Sequence, residues 1–270
     1  MSALFRIAAA AGRIGLTPLI ARAASLAYRA SDFSVDDQGR WVNRQPEATF
    51  VSPIIHTKSY DAVNDWVLDN WAWGYLPRIG DTVVDVGAGI GEEAVIFSRL
   101  VGESGRVFSI EAHPRTFSCL QETIRRSGLT NITPLYCAVS EQDGELLISD
   151  IDVHLANSVI GQGGGLKVPA RSLDSLSDEL GFGEIALVRM NIEGAEKFAV
   201  EGMSRLASRV RNVVISCHDF VATEYGGSPD FRTRDQVRRA LEVQGFDIST
   251  RPDATEPWVR DYLYGRRAGH

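Results

Sequence analysis

Two short stretches hold side chains that can move a proton. In "MNIEGAE" (190–196), Asn191, Glu193 and Glu196 stand close together, and in "SCHDF" (216–220), His218 and Asp219 follow an apolar run. Imidazole titrates nearest neutrality, and a partly buried carboxylate can also act as a base, so His218 or Glu193 could deprotonate a reacting group while Asn191 orients it. A second chemistry is open. Glu193, His218 and Asp219 form a mixed carboxylate–imidazole set that could hold a divalent metal and acidify a bound hydroxyl. The neutral Asn191 beside it weakens that set, so a metal is not favoured. Glu196 has a plain structural reading, in which it faces its own helix and pairs with Lys or Arg. His154 and Asn157, in a polar loop, could reach over such a site as substrate contacts.

A third stretch, "VVDVGAGIGEE" (83–93), holds a ligand rather than reacting with it. Its glycines run Gly87-x-Gly89-x-Gly91, not the G-x-G-x-x-G of dinucleotide folds, and no P-loop spacing follows. Glu92 and Glu93 suit the start of a helix but would repel a pyrophosphate placed there. Asp85 adds a third carboxylate. The loop therefore fits a ligand with a cationic end and no phosphate, and S-adenosylmethionine has both an ammonium and a sulfonium. Gly87, Ala88, Gly89 and Gly91 would let the backbone approach its methionine portion. Glu111 would accept hydrogen bonds from both ribose hydroxyls. Ala112 and Ala138 complete the expected cofactor contacts. A nicotinamide-dependent oxidoreductase is the competing enzyme class, and the offset of the third glycine speaks against it.

These residues need a frame that brings them to one edge. Strands over 82–87, 106–112, 131–140, 184–194 and 212–220 alternate with helices over 92–102, 114–128, 195–207 and 233–246. That alternation predicts a mostly parallel sheet covered by helices on both faces, with binding residues at the carboxyl ends of its strands. "DIST" and "RDYLYGRR" read as a closing strand pair. Residues 143–172 interrupt the rhythm as an inserted hairpin with Gly163, Gly164 and Gly165 at its tip. A helix over 59–77 carries Trp66 and Trp73, and residues 31–60 read as loop with a short hairpin around Gly39. The division expected is an N-terminal extension over 1–58 and a catalytic domain over 59–270.

The net charge of −7 argues against broad nucleic-acid binding, which depends on neutralising phosphates. Cys119, Cys137 and Cys217 have no metal-like spacing and read as reduced thiols, as in the cytoplasm. Residues 1–31 hold Arg6, Arg13, Arg22 and Arg29 and no acid. They read as a basic helix broken near Pro18, lying on an anionic membrane surface or packed on the body or a partner subunit. Arginines interrupting the apolar run argue against a cleaved signal, while a transit peptide is compatible with the composition. A homodimer is compatible with this reading, as is a non-catalytic membrane-docked binding module.

With Asp85 to Gly91 and Glu111 so placed, the chain resembles class I S-adenosylmethionine-dependent methyltransferases, which implies a Rossmann-like sheet of about seven strands with an antiparallel last strand. "VPARSLDSL" (168–176) followed by "RMNIEGAEKFAVEGM" (189–203) narrows the resemblance to the FkbM family over roughly residues 75–265. Two positions depart from the family pattern: its usual lysine is Arg189 here, and its usual aspartate is Asn191. A neutral amide can serve neither as a base nor as an anionic metal ligand. The resemblance implies methylation of oxygen, on hydroxyls of a small molecule, sugar or glycoconjugate.

Overall fold

The computed structural model describes residues 17–28, 30–149 and 165–269. Arg6, Arg13, Arg29, His154, Asn157, Gly163 and Gly164 lie outside the described residues. Helix α1 (Thr17–Ala27) carries Pro18 in its first turn, where a missing N–H breaks no helical bond. Pro18 thus sits at the start of this described helix. Ala21 and Ala24 pack against Phe33, Trp41 and Ile55, while Leu19, Arg22 and Leu26 face solvent. No helix among the described residues is long and apolar enough to cross a membrane.

Strands β1 (Asp32–Val35), β2 (Trp41–Arg44) and β3 (Thr49–Ser52) form an antiparallel sheet in that order. Asp36 closes the first turn by accepting from Gln38 N and Arg40 N, each at 3.0 Å, with Gly39 at φ +77°. The third strand was not expected from sequence. Its Val51 N–H donates to Thr123 Oγ1 at 2.9 Å, and Phe50 shares a core with Val95, Leu120 and Trp71. Residues on both sides of position 58 are thus packed into one core. Helix α2 (Tyr60–Trp66), capped by Ser59, runs into a π-helical turn over Val67–Trp71. Trp71 is fully buried, whereas Trp73 is 48% exposed.

The central sheet uses β4 (Thr82–Val86), β5 (Arg106–Glu111), β6 (Ile132–Tyr136), β10 (Ile185–Met190), β11 (Val210–Ser216), β12 (Phe246–Ser249) and β13 (Tyr262–Arg267). Its order is β12-β13-β11-β10-β4-β5-β6. β4, β5, β6, β10 and β11 pair in parallel, and β13, the last strand, pairs antiparallel with both neighbours. Helices α3 (Glu92–Val101) and α4 (Pro114–Arg126) cover one face. The other face is covered by α5 (Leu173–Leu180), α6 (Glu196–Glu201) and α8 (Arg234–Val243), with α7 (Asp219–Thr223) in the loop before α8. The burial pattern follows: Val83 and Leu187 point to the first face, Val84 and Val188 to the second. Short strand β7 (Ala138–Val139) and the inserted hairpin of β8 (Gly144–Ile148) and β9 (Leu166–Arg171) make a small third sheet. Helix α9 (Pro257–Arg260) precedes β13.

The chain leaves β4 toward β5 and β6 but returns to pair β10 on the other side of β4. That reversal opens a crevice at the carboxyl ends of β4 and β10, the usual place for a ligand in such sheets.

Candidate functional site

A cleft opens at that crevice. It is lined by the ends of β4 (Val86, Gly87, Gly89), β5 (Ile110, Glu111, Ala112, His113), the β6–β7 turn (Cys137, Ala138, Val139), Ile148, and the turn after β10 (Asn191, Ile192, Glu193, Ala195). Counting its open mouth it holds about 760 Å³ of empty space.

The glycine loop is shaped by close approach. Gly87 has φ +76°, and a Cβ there would lie 2.0 Å from the Asn191 carbonyl oxygen; no side chain fits. Gly87 N and Ala88 N both donate to Ile110 O at 2.9 Å, tying the loop to β5. The Gly89 N–H donates to Glu111 Oε2 at 2.9 Å, and His113 N–H to Oε1 at 2.8 Å. Each carboxylate oxygen keeps a second lone pair. Burial pushes the Glu111 carboxyl up to about 7, opposed by the backbone N–H groups of His113, Gly89 and Ala112, with nearby Asp85 adding to the rise.

Of the cofactor residues expected from sequence, Gly87, Gly89, Glu111, Ala112 and Ala138 line the cleft. Asp85, Ala88 and Gly91 do not. Asp85 is fully buried beneath the loop, facing Arg189 from the neighbouring strand at 3.1 Å. Arg189 also donates to Gly87 O at 2.9 Å, approaches Glu93 at 3.5 Å and stacks 4.0 Å over Trp71. Burial raises the Asp85 carboxyl to about 6 even against this arginine. Gly91 starts α3 and is packed on Leu120. Glu92 turns to His56 Nε2 (2.8 Å) and Lys58 Nζ (3.0 Å). The expected placement of Glu92 and Glu93 at the ligand is therefore corrected, while the cofactor itself stands. Both point to basic partners brought by α2's approach segment and β10, and neither faces the cleft.

After β10, Asn191 and Glu193 line the cleft beside the glycine loop, while His218 and Asp219 are not among its lining residues. The Asn191 side chain makes no hydrogen bond to the described residues, and its N–H donates to Val86 O at 3.0 Å. Glu193 sits at φ +54°, the one non-glycine residue with positive φ among those described, a conformation that costs energy and tends to persist where function needs it. His218 is 3% exposed. Its Nδ1 meets Glu196 Oε1 at 2.9 Å and its Nε2 meets Glu193 Oε2 at 3.3 Å. Burial pushes the imidazole down, but the two glutamates overcome this and raise it to about 10. His218 is then an imidazolium at neutral pH and holds no lone pair for a general base. Glu196, expected to pair with Lys or Arg, instead joins His218, the N–H of Gly194 (3.1 Å) and the hydroxyl of Thr233 (3.4 Å). Asp219 is corrected too: its Oδ1 accepts Thr233 N and Arg234 N, both at 2.9 Å, holding the start of α8. The trio Glu193, His218 and Asp219 does not assemble as ligands, and among the described residues no three His, Cys, Asp or Glu side chains converge to hold a metal.

His113, Cys137, Val139 and Ile192 also line the cleft and were missed from sequence. All four directly neighbour expected positions, which was the available signal. The residues present fit a nucleoside cofactor: a bared backbone at Gly87, a carboxylate with spare lone pairs at Glu111, and an apolar slot formed by Ile110, Cys137 and Val139. Glu111 and the glycines would hold it, and the cofactor would supply a methyl carried on sulfur.

A parallel sheet with a switch-point glycine loop, an acid ending the second strand and an antiparallel last strand defines the Rossmann-like class I S-adenosylmethionine-dependent methyltransferase fold. The sequence model of the methyltransferase FkbM domain matches residues 85–248, over half of the chain, and the chain belongs to that family. The crystal structure of methyltransferase FkbM from Methylobacillus flagellatus shares the fold, with TM-score 0.51 and 20% identity over 75% of this chain and 50% of that one. The AMB antimetabolite synthetase AmbE of Pseudomonas aeruginosa is 29% identical over 159 residues, 57% of this chain and 7% of that protein. A protein-L-isoaspartate O-methyltransferase of Fervidobacterium nodosum is 43% identical over 54 residues, 20% of this chain and 27% of that protein. The chain thus spans well under two thirds of these curated relatives. Family membership sets aside the oxidoreductase reading.

Proposed function

We propose that the protein transfers a methyl group from S-adenosylmethionine to a hydroxyl oxygen of a small molecule, sugar or glycoconjugate. The observation that supports this is that Asn191 and Glu193 line the same cleft as Gly87 and Glu111. When bound, the cofactor supplies an electrophilic methyl on a sulfonium. Glu111 would hold the ribose hydroxyls, and the bared backbone of Gly87 and Gly89 would hold the amino-acid portion. The Asn191 amide donates to the acceptor oxygen, and Glu193 accepts its proton as the oxygen becomes nucleophilic. The apolar lining from Val139, Ile148 and Ile192 excludes water from the reacting atoms.

The test is release of S-adenosylhomocysteine with a panel of hydroxylated acceptors. Glu193→Gln keeps the shape but removes the proton acceptor. Turnover is expected to fall by about 10²-fold or more with cofactor affinity within threefold. Full turnover in Glu193→Gln sinks the assignment.

A further inference from the structure

The mechanism above leaves unexplained a histidine at the end of β11, buried between two carboxylates. A histidine placed to act as a base keeps one ring nitrogen free for the reacting proton. Here both are taken, Nδ1 by Glu196 at 2.9 Å and Nε2 by Glu193 at 3.3 Å. Each partner is an acceptor when ionised, so both ring nitrogens must donate.

Glu196 is the fixed end of the arrangement. It is fully buried at the start of α6, and its Oε1 also takes the N–H of Gly194 and, at 3.4 Å, of Ile192. Glu193 is the end that reaches the cleft, carried on a two-residue excursion, Glu193 at φ +54° and Gly194 at φ +97°. The other ionisable groups nearby are occupied elsewhere. Asp219 is bound to the start of α8, and Asp261 accepts Phe220 N and pairs with Arg234.

We propose that His218 is a positioning residue: as an imidazolium it bridges buried Glu196 to Glu193 and so fixes the Glu193 carboxylate at the cleft wall. The upward push on the imidazole by both glutamates is the electrostatic counterpart of that geometry. The role rests on the reading of Glu193 as proton acceptor. It also gives a reason for the αL backbone at 193, since the bridge holds the side chain that this backbone turns inward.

The full chain with S-adenosylhomocysteine serves as the probe, so no acceptor is needed. Histidine ring ¹⁵N shifts followed from pH 5.5 to 9 should show both His218 nitrogens protonated throughout. Titration near the ordinary 6.5 would overturn the proposal. In a crystal structure of His218→Gln with S-adenosylhomocysteine, the Glu193 carboxylate should leave its wild-type position while calorimetric affinity stays within twofold. An unmoved Glu193 overturns it. Should His218→Gln fail to fold, Glu196→Gln reads the same bridge, and there His218 should titrate at lower pH. With an active acceptor, kcat of His218→Gln should drop about tenfold, with the acid limb of the rate profile displaced to higher pH. Retained activity in Glu193→Gln would instead remove the catalytic reading and leave the histidine shifts untouched.

Discussion

Glu111 should make cofactor affinity depend on pH near neutrality. Burial pushes its carboxyl up to about 7, and ribose hydroxyls donate to the ionised form. The sign follows: as pH falls below about 7 the group protonates, and each ligand must first recover the carboxylate. At pH 6 roughly one tenth is ionised against roughly nine tenths at pH 8, so affinity should be about tenfold weaker, ~1.4 kcal/mol. Glu111→Gln keeps the shape but loses the charge. Hydrogen bonds to a charged group contribute ~1.5–3 kcal/mol, so the variant should bind S-adenosylhomocysteine roughly 10- to 100-fold more weakly at pH 8, and that gap should shrink to roughly 2- to 10-fold at pH 6. Asp85 is present in both proteins and drops out of the difference. Isothermal calorimetry at pH 6, 7 and 8 decides it. A flat wild-type profile, or a Glu111→Gln profile as steep as wild type, refutes the reasoning.

Gly87→Ala places a Cβ 2.0 Å from Asn191 O at φ +76°. It should cost about 2 kcal/mol or more in chemical denaturation and abolish S-adenosylhomocysteine binding. Arg189→Met strands Asp85 without its cation and should destabilise by about 3–5 kcal/mol; Arg189→Lys, which restores a charge but not the stack on Trp71, should recover most of that in the same assay. Asp219→Ala should lose about 1 kcal/mol through the start of α8 with kcat unchanged, whereas a large kcat loss would return Asp219 to the chemistry. His218, raised from 6.5 to about 10, contributes stability that is complete below pH 6.5 and lost as pH rises through 10. The Tm gap between wild type and His218→Gln should therefore narrow over that range.

What the sequence reveals here is set by how local each signal is. The glycine spacing and Glu111 at a strand end are local features, and both lie on the cleft. The alternation of strands and helices fixed the sheet and its antiparallel closing strand for the same reason. The directions of Asp85, Glu92 and Glu93 were not legible, because their partners Arg189, His56 and Lys58 come from other elements. The charge state of His218 was hidden likewise, since Glu196 lies on α6, a separate element of the chain. Four-residue strands β1 to β3 leave too short a pattern to separate from loop, and their pairing depends on α3 and α4 beneath them. The exchange of lysine for Arg189 was visible in the sequence, but its meaning came only from Trp71 and the Gly87 carbonyl.

The most direct test of the whole account is a crystal structure of the protein with S-adenosylhomocysteine. The account predicts the ribose on Glu111, the amino-acid portion along Gly87 and Gly89, and the sulfur directed at the space between Asn191 and Glu193. A ligand bound outside this cleft, or a sulfur directed away from Glu193, would contradict it.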